Sequence, residues 1–247
     1  MIHRVNLMEQ FKKPVTLKTL AKILGLTPAT ISKALRDSSD ISLKTREMVK
    51  KKAKELGYQP NLMARSLIKR RSQIIGVIVP DLAHSFFAEV TRGISEEGRL
   101  WGYESIIMVH DEDSKIEKRN LGFLSALNVD GILIAAVPGT QNNKLIERIR
   151  ERGIPFVCFD RIIDGLQFPS ITIDDETASF NLVKNFIESG RRNIVFFGPT
   201  KDLFVAKGRY LGYCNALKYY NIDYRPEFVI ESEISVEDAH RRMKSYI

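Results

Sequence analysis

VTLKTLAKILGLTPATISKALRDSSDISLKTREMVKKKAKELGYQPNLMARSL, residues 15–67, is the stretch from which the rest of the chain is read. Its opening segment, TLKTLAKIL, offers Thr16 as a cap and places Leu17, Leu20, Ala21 and Leu24 at helical spacing. Gly25 then supplies a turn. TPATISKALR predicts a second helix, with Thr27 as N-cap, Pro28 at the first helical position where its missing N–H costs nothing, and Ile31 and Leu35 one turn apart. SLKTREMVKKKAKELG predicts a third, capped by Ser42, burying Val49, Ala53 and Leu56, stopped by Gly57, and lysine-rich on its other face. Helix, glycine turn, helix and brace is the pattern of a helix-turn-helix DNA reader, whose second helix enters the major groove.

On that reading Pro28, Ala29, Thr30, Ser32 and Lys33 point outward from the second helix. Lys33 can donate to guanine O6 and N7, Ala29 can touch only a thymine methyl, and Thr30 and Ser32 suit phosphate oxygens. Thr16, at the start of the first helix, is a further candidate contact. The same spacing also fits any three-helix bundle with a solvated basic face. Charge weighs against that blander reading: residues 1–72 carry 17 Lys plus Arg against 5 Asp plus Glu, and the remainder 21 against 25. A head that meets a polyanion is joined to a body that need not.

In PNLMARSLIKRRSQ, residues 60–73, Asn61 can cap a two-turn helix with Leu62, Met63, Ala64 and Leu67 on one side and Arg65 and Lys69 elsewhere. So short a helix does not repay nucleation in water, so it needs a partner. One partner is DNA, with Leu67 wedged into a minor-groove step while the cations hold phosphates. The other is the body, and the pattern leaves both open.

The body alternates strands and helices. IIGVIVPD, at 74–81, is a continuous apolar run of the kind buried in a parallel sheet, and a helix follows over about 86–100. Then come strand YESIIMV, helix SKIEKRNLGFLSAL, strand DGILIAA, helix NNKLIERIRERG and strand IPFVCFD. Strand PSITIDD, helix ETASFNLVKNFIESG, strand RNIVFFG, helix VAKGRYLGYCNALKYY and a strand EFVIES complete a doubly wound α/β pattern. In such folds ligands collect at the C-terminal strand ends, here Asp81, His84, Phe86, Phe87, Asp160, Arg161, Asp174 and Asp175. Rings beside Asp and Arg suit a polyol. Singly, each has a plainer role: Phe86 and Phe87 as helix-start core, Asp174 as a cap, Asp160 with Arg161 as a surface ion pair.

The 53-residue opening stretch resembles the head of the lactose-repressor/galactose-repressor (LacI/GalR) family of bacterial transcription regulators, and the likeness continues through most of the chain. It implies a homodimer whose second helices read half-sites of a pseudo-palindromic operator and whose hinge helices insert Leu67, with Ala64 beside it, into the central minor groove. Pro28, Ala29 and Lys33 fall at the family's base-reading positions. The implied division is a tail 1–14, a helix-turn-helix domain 15–60, a hinge helix and linker 61–72, and a periplasmic-binding-protein-like effector domain with subdomains 73–175 and 176–247. The effector, expected to be a carbohydrate, is placed against Phe86 and Phe87 within SFFAEV, Asp160 and Arg161 within FDR, Asp175 within TIDDE, and Arg209 within KGRYLGY.

Two departures stand out. The family's usual Asn-Pro before the aromatic pair is His84-Ser85 here. The chain also reaches Ile247 with fewer strands than the implied second subdomain needs, so that subdomain is expected to be incomplete. A gated repressor is the favoured reading, with a constitutive DNA binder as the alternative. No GxSxG, P-loop, GxGxxG or HExxH occurs and the four histidines are scattered, so no enzyme, metal or cofactor is expected. Cys158 and Cys214, each in an apolar stretch, read as buried reduced thiols. With no apolar leader in MIHRVNLMEQFKK and no membrane-length run, a cytoplasmic, nucleoid-associated protein is expected.

Overall fold

The computed structural model describes residues 15–59, 71–83, 85–163, 165–200, 204–232 and 236–246. It divides the chain into two compact units, meeting in sequence at Ile68 and Lys69.

The first unit is three helices, α1 (Leu17–Leu24), α2 (Pro28–Leu35) and α3 (Leu43–Glu55), each beginning where the caps predict. Thr16, Thr27 and Ser42 accept from the backbone N–H groups of Thr19, Thr30 and Thr45. Gly25 closes α1 at φ 65°, a left-handed turn that a side chain would strain, and returns the chain so that Leu26 N–H reaches Ala21 O at 3.0 Å. Leu20, Ala21, Ile31, Ala34, Val49 and Ala53 form the core. Its small residues let the helices approach closely, and Leu56 and Tyr58 pack over the edge.

The second unit is built on a five-stranded parallel sheet in the order β2-β1-β3-β4-β5. The strands are β1 (Ile74–Val79), β2 (Glu104–Val109), β3 (Gly131–Ile134), β4 (Phe156–Phe159) and β5 (Ser170–Ile171). Helices α4 (Ser85–Leu100), α5 (Ser114–Ala126) and α6 (Asn143–Glu151) make the crossovers. Burial splits between two faces. Ile78, Ile132 and Ile134 meet Leu121, Leu124, Ile146 and Ile149 of α5 and α6, whereas Val77, Val79, Ala135 and Phe159 meet Phe87 of α4. Gly76 is required by space, since a Cβ there would lie 2.4 Å from a Leu124 methyl. Asp130 fastens the start of the sheet, accepting from Ser72 N–H at 2.7 Å and Gln73 N–H at 3.1 Å.

Beyond β5, helices α7 (Asp175–Glu188) and α8 (Phe204–Tyr219) pack on one another beside a small parallel pair, β6 (Phe196–Phe197) and β7 (Val229–Ile230), and α9 (Val236–Tyr246) follows. Gly212 permits this packing, since a Cβ there would lie 2.2 Å from Glu176 O.

Three sequence expectations need correction. PSITIDD yields only the two-residue β5, and Ile171 and Ile173 are 69% and 61% exposed rather than packed into a core. RNIVFFG and EFVIES likewise shrink to β6 and β7, the latter preceded by a 3-10 turn at Pro226–Phe228. Cys158 is buried, its thiol pushed up to about 11 by burial, but Cys214 is only half-buried. Among the described residues no helix is long and apolar enough to cross a membrane.

Candidate functional site

In the head, Pro28 and Ala29 occupy the first turn of α2 and are exposed. The hydroxyls of Thr16 and Thr30 already serve local caps: Thr16 Oγ1 accepts from Thr19 N–H at 3.2 Å, and Thr30 Oγ1 lies 2.9 Å from Thr27 Oγ1. Ser32 is half-buried. Lys33, exposed in the last turn of α2, donates from Nζ to Asp40 Oδ2 at 2.9 Å. The outward surface of α2 is therefore sparse in hydrogen-bonding groups, with one long cation at its end. Asn61, Leu62, Met63, Ala64, Arg65, Leu67 and Lys69 of the expected hinge lie outside the described residues, as does His84.

In the body, the parallel sheet brings the C-terminal ends of β1, β2, β3 and β4 to one edge, where Asp81, His110, Glu112, Ala136, Asp160 and Arg161 follow their strands. Arg161 is the hub. Its guanidinium donates to both Glu112 carboxylate oxygens at 2.9 and 2.8 Å and to Ala136 O at 3.3 Å, and lies 5.9 Å from the Phe87 ring centroid. The side chain is only 11% exposed, so the plain surface ion pair is not what forms; Asp160, 3.5 Å from Arg161 Nε, is the looser partner. Asp160 adopts φ 61°, which aims the chain sharply out of β4, and burial raises its carboxyl above the usual range despite Arg161 beside it.

Phe87 belongs to the core at 7% exposure, while Phe86, at 44%, stacks edge-on against it at 5.0 Å and presents its ring outward. Asp174 is the cap of α7, accepting from Thr177 N–H at 3.0 Å. Asp175 is buried, and its Oδ1 takes Arg209 Nε of α8 at 2.7 Å, leaving Arg209 more than half exposed. Gly208 makes room, its missing Cβ falling 3.1 Å from Asp175 Cβ. The charges of Arg161 and Arg209 lower the Asp160 carboxyl and those of Asp175 and Glu112 raise it, each a smaller effect than burial.

Sequence reasoning passed over the supports beneath this edge. His110 is fully buried; its Nε2 lies 2.9 Å from Ala135 O and its Nδ1 accepts Glu112 N–H at 3.1 Å, fixing the ring and, through it, the residue that grips Arg161. Glu117, also fully buried, accepts from Val137 N–H at 2.7 Å, from Asn142 Nδ2 at 2.8 Å and from the Thr140 hydroxyl, pinning the β3–α6 loop. A signal existed: Glu117 shares its helical face with Asn120, Leu121 and Leu124. Away from this edge, an apolar hollow of about 530 Å³ opens beneath the second half of α4, between Ile75, Ile94, Trp101 and Leu133.

Residues 16–61 match the model of bacterial regulatory proteins of the lacI family, and residues 72–240 that of periplasmic binding proteins and the sugar-binding domain of the LacI family. The chain belongs to the LacI family. It is 31% identical to the HTH-type transcriptional regulator RegA of Clostridium saccharobutylicum over 94% of this chain and 70% of RegA. It is 34% identical to the regulator MalR of Streptococcus pneumoniae over 85% of this chain and 64% of MalR. The chain thus spans about two thirds of the length of these LacI-family regulators. The Lac repressor dimer, solved bound to operator and the anti-inducer ONPF, shares the fold with a TM-score of 0.80 at 24% identity, over 94% of this chain and 70% of that one.

Proposed function

We propose that this LacI-family regulator binds an operator through α2, with Lys33 as its polar base reader and Pro28 and Ala29 as apolar contacts, and that a carbohydrate bound at the C-terminal strand ends modulates that binding. Thr16 and Thr30, with the hydroxyl valences their caps leave over, and Ser32 take phosphate contacts. Asn61, Ala64, Arg65, Leu67 and Lys69 form the hinge contact at the minor groove, doubled in a homodimer. The effector lies against the Phe86 ring and the edge formed by Asp81, His84, Phe87, Asp160, Arg161, Asp175 and Arg209. The domain limits follow: 15–60 reads DNA, 61–72 couples, and 73–175 with 176–247 holds the effector. The cytoplasm is where such a protein meets its operator.

The observation that carries the effector reading is that two ion pairs, Arg161 with Glu112 and Arg209 with Asp175, are built from residues that follow the C-terminal ends of β4, β2 and β5 together with α8. A ligand with hydroxyls spread over two faces can exchange for these pairs, and any shift between α7 and the sheet then becomes a change of state. Each of the two guanidinium charges already faces a carboxylate, Arg161 with Glu112 and Arg209 with Asp175, and this charge balance favours a neutral polyol over a phosphate ester.

The test combines selection of a preferred duplex from a randomised pool with titration of neutral sugars and their phosphate esters against the protein–DNA complex. A neutral sugar that changes duplex affinity, with Arg209→Ala abolishing the change but not duplex binding, is the expected result. Duplex binding that no sugar alters would leave the constitutive DNA binder as the correct description.

A further inference from the structure

Lys33 and Asp40 sit together on the surface that the proposed function assigns to DNA, and their pairing is not explained by stability. Both side chains are largely exposed, 48% and 62%, and exposed ion pairs contribute little to folding. The position is nevertheless held firmly. Ser38 N–H donates to Lys33 O at 3.1 Å, Ile41 N–H to Ser38 O at 3.1 Å, and Ile41 packs on the head core, so the backbone on both sides of Asp40 is fixed. The neighbouring carboxylate, Asp37, is taken by Lys50 at 2.6 Å. Lys33 lowers the Asp40 carboxyl below the usual range through its hydrogen bond, so Asp40 stays ionised at neutral pH.

We infer that Asp40 is a specificity-determining residue of the head: it cancels the charge of Lys33 on random duplex and completes, with Lys33, the reading of one G·C pair. The inference rests on α2 being the base reader. Sequence-independent affinity comes from cations that displace counterions from phosphates, and a lysine tied to a carboxylate displaces none on balance. A segment with 17 basic and only 5 acidic residues places one of those five on its reading lysine, and that carboxylate opposes every approach to a phosphate.

A G·C pair compensates. In the major groove guanine offers two adjacent acceptors, N7 and O6, which one ammonium with three donors can bridge, and cytosine N4 beside them offers a donor to a carboxylate. Lys33 and Asp40 present a donor and an acceptor 2.9 Å apart, the same juxtaposition in complementary sense. An A·T pair sets the adenine N6 amino donor between its two acceptors, adenine N7 and thymine O4, so one ammonium finds no adjacent pair of acceptors to bridge. The pair therefore loses little on its own base pair and much elsewhere, and specificity is the difference.

The experiment uses the full chain and its Lys33→Ala, Asp40→Asn and Asp40→Ala variants, with helix content checked by circular dichroism. Affinities are measured over a salt series on the selected duplex, on single-pair variants of it, and on a random duplex. Lys33→Ala identifies its base pair as the one whose guanine preference vanishes. Asp40→Asn is expected to bind random duplex several-fold more tightly, to steepen its log K against log salt by about 0.9, and to lose discrimination at that same pair. If Asp40→Asn strengthens every duplex by one common factor, Asp40 is only a repelling charge, and if it changes none the pair is idle; either outcome overturns the inference. A wild-type chain that binds no duplex at any salt would instead remove the DNA-reading assignment beneath it.

Discussion

The head and the body hold their charges in opposite ways. Lys33–Asp40, Lys50–Asp37 and Lys52–Glu55 in the head lie on its surface, where water and salt compete with every pair. In the body, Glu117 is fully buried with three donors, and Arg161 and Asp175 are buried beneath their partners. The glycines divide similarly. Gly25 and Gly57 of the head are needed for positive φ with open space around them, whereas Gly76 and Gly212 of the body are needed because another atom occupies the place of a side chain. The head thus spends its polar groups outward, on whatever it meets, and the body inward, on fixing the loops at its strand ends.

The largest expected break of this contrast is Glu117→Ala. It leaves Val137 N–H, the Thr140 hydroxyl and Asn142 Nδ2 without their shared acceptor, and each buried orphan costs about 1–3 kcal/mol. Denaturant unfolding of the body is expected to lose on the order of 3 kcal/mol or more while the head's helices melt unchanged. Gly212→Ala comes next. A methyl 2.2 Å from Glu176 O and 2.8 Å from Phe180 N must part α7 from α8, at roughly 1–3 kcal/mol. Gly25→Ala, its counterpart in the head, meets nothing and bears only the left-handed strain, about 1 kcal/mol. If the two alanines cost the same in thermal unfolding, the division between space and conformation is wrong.

Much of this was legible in the residues. Thr16, Thr27, Ser42, Gly25 and the apolar spacing of the head specify three helices because local caps and turns act within a few positions. The first sheet is equally plain, since strands buried on both faces are long apolar runs. The second sheet is not: RNIVFFG and EFVIES contain strand-forming residues, but Val195 is 39% exposed and pairing is confined to Phe196–Phe197 and Val229–Ile230. β-propensity is realised only where a neighbouring strand and a covering layer exist, and these are tertiary facts. Helix α9 (Val236–Tyr246) is not among the sequence expectations: Val236, Ala239, Met243 and Tyr246 fall at helical spacing, but the segment is short and dominated by charged residues. Among the strand ends, those after β1, β4 and β5 were anticipated, but His110 and Glu112 after β2 were not, because their roles depend on reaching Ala135 and Arg161 across the sheet.

A smaller effect tests the effector edge. Gly208→Ala sets a methyl 3.1 Å from Asp175 Cβ, tight enough to displace the carboxylate from Arg209 without parting the helices as Gly212→Ala does. Thermal unfolding is expected to fall by a degree or two, about what 0.5 kcal/mol costs a unit of this size, while the sugar response of the DNA complex weakens. A full response with a large loss of stability would make Asp175–Arg209 part of the scaffold alone.

The smallest expected effect is the most pointed. Asp37 combines an exposed ion pair to Lys50 with a left-handed backbone at φ 57°, so two explanations for an acidic residue coincide there. Asn tolerates that conformation as well as Asp does and lacks only the charge. The Lys50 hydrogen bond holds the Asp37 carboxyl below the usual range, so any stability the pair adds is present above the unfolded pKa and is lost as pH falls through the lower folded value. At neutral pH, Asp37→Asn is expected to leave the head's melting temperature unchanged in low and high salt alike, because two exposed, hydrated charges gain little by meeting. Asp37→Val, which cannot adopt the turn without strain, is expected to lower it. A clear loss in Asp37→Asn that high salt erases would mean that surface charge does support the head, and the contrast with the body would then be one of degree.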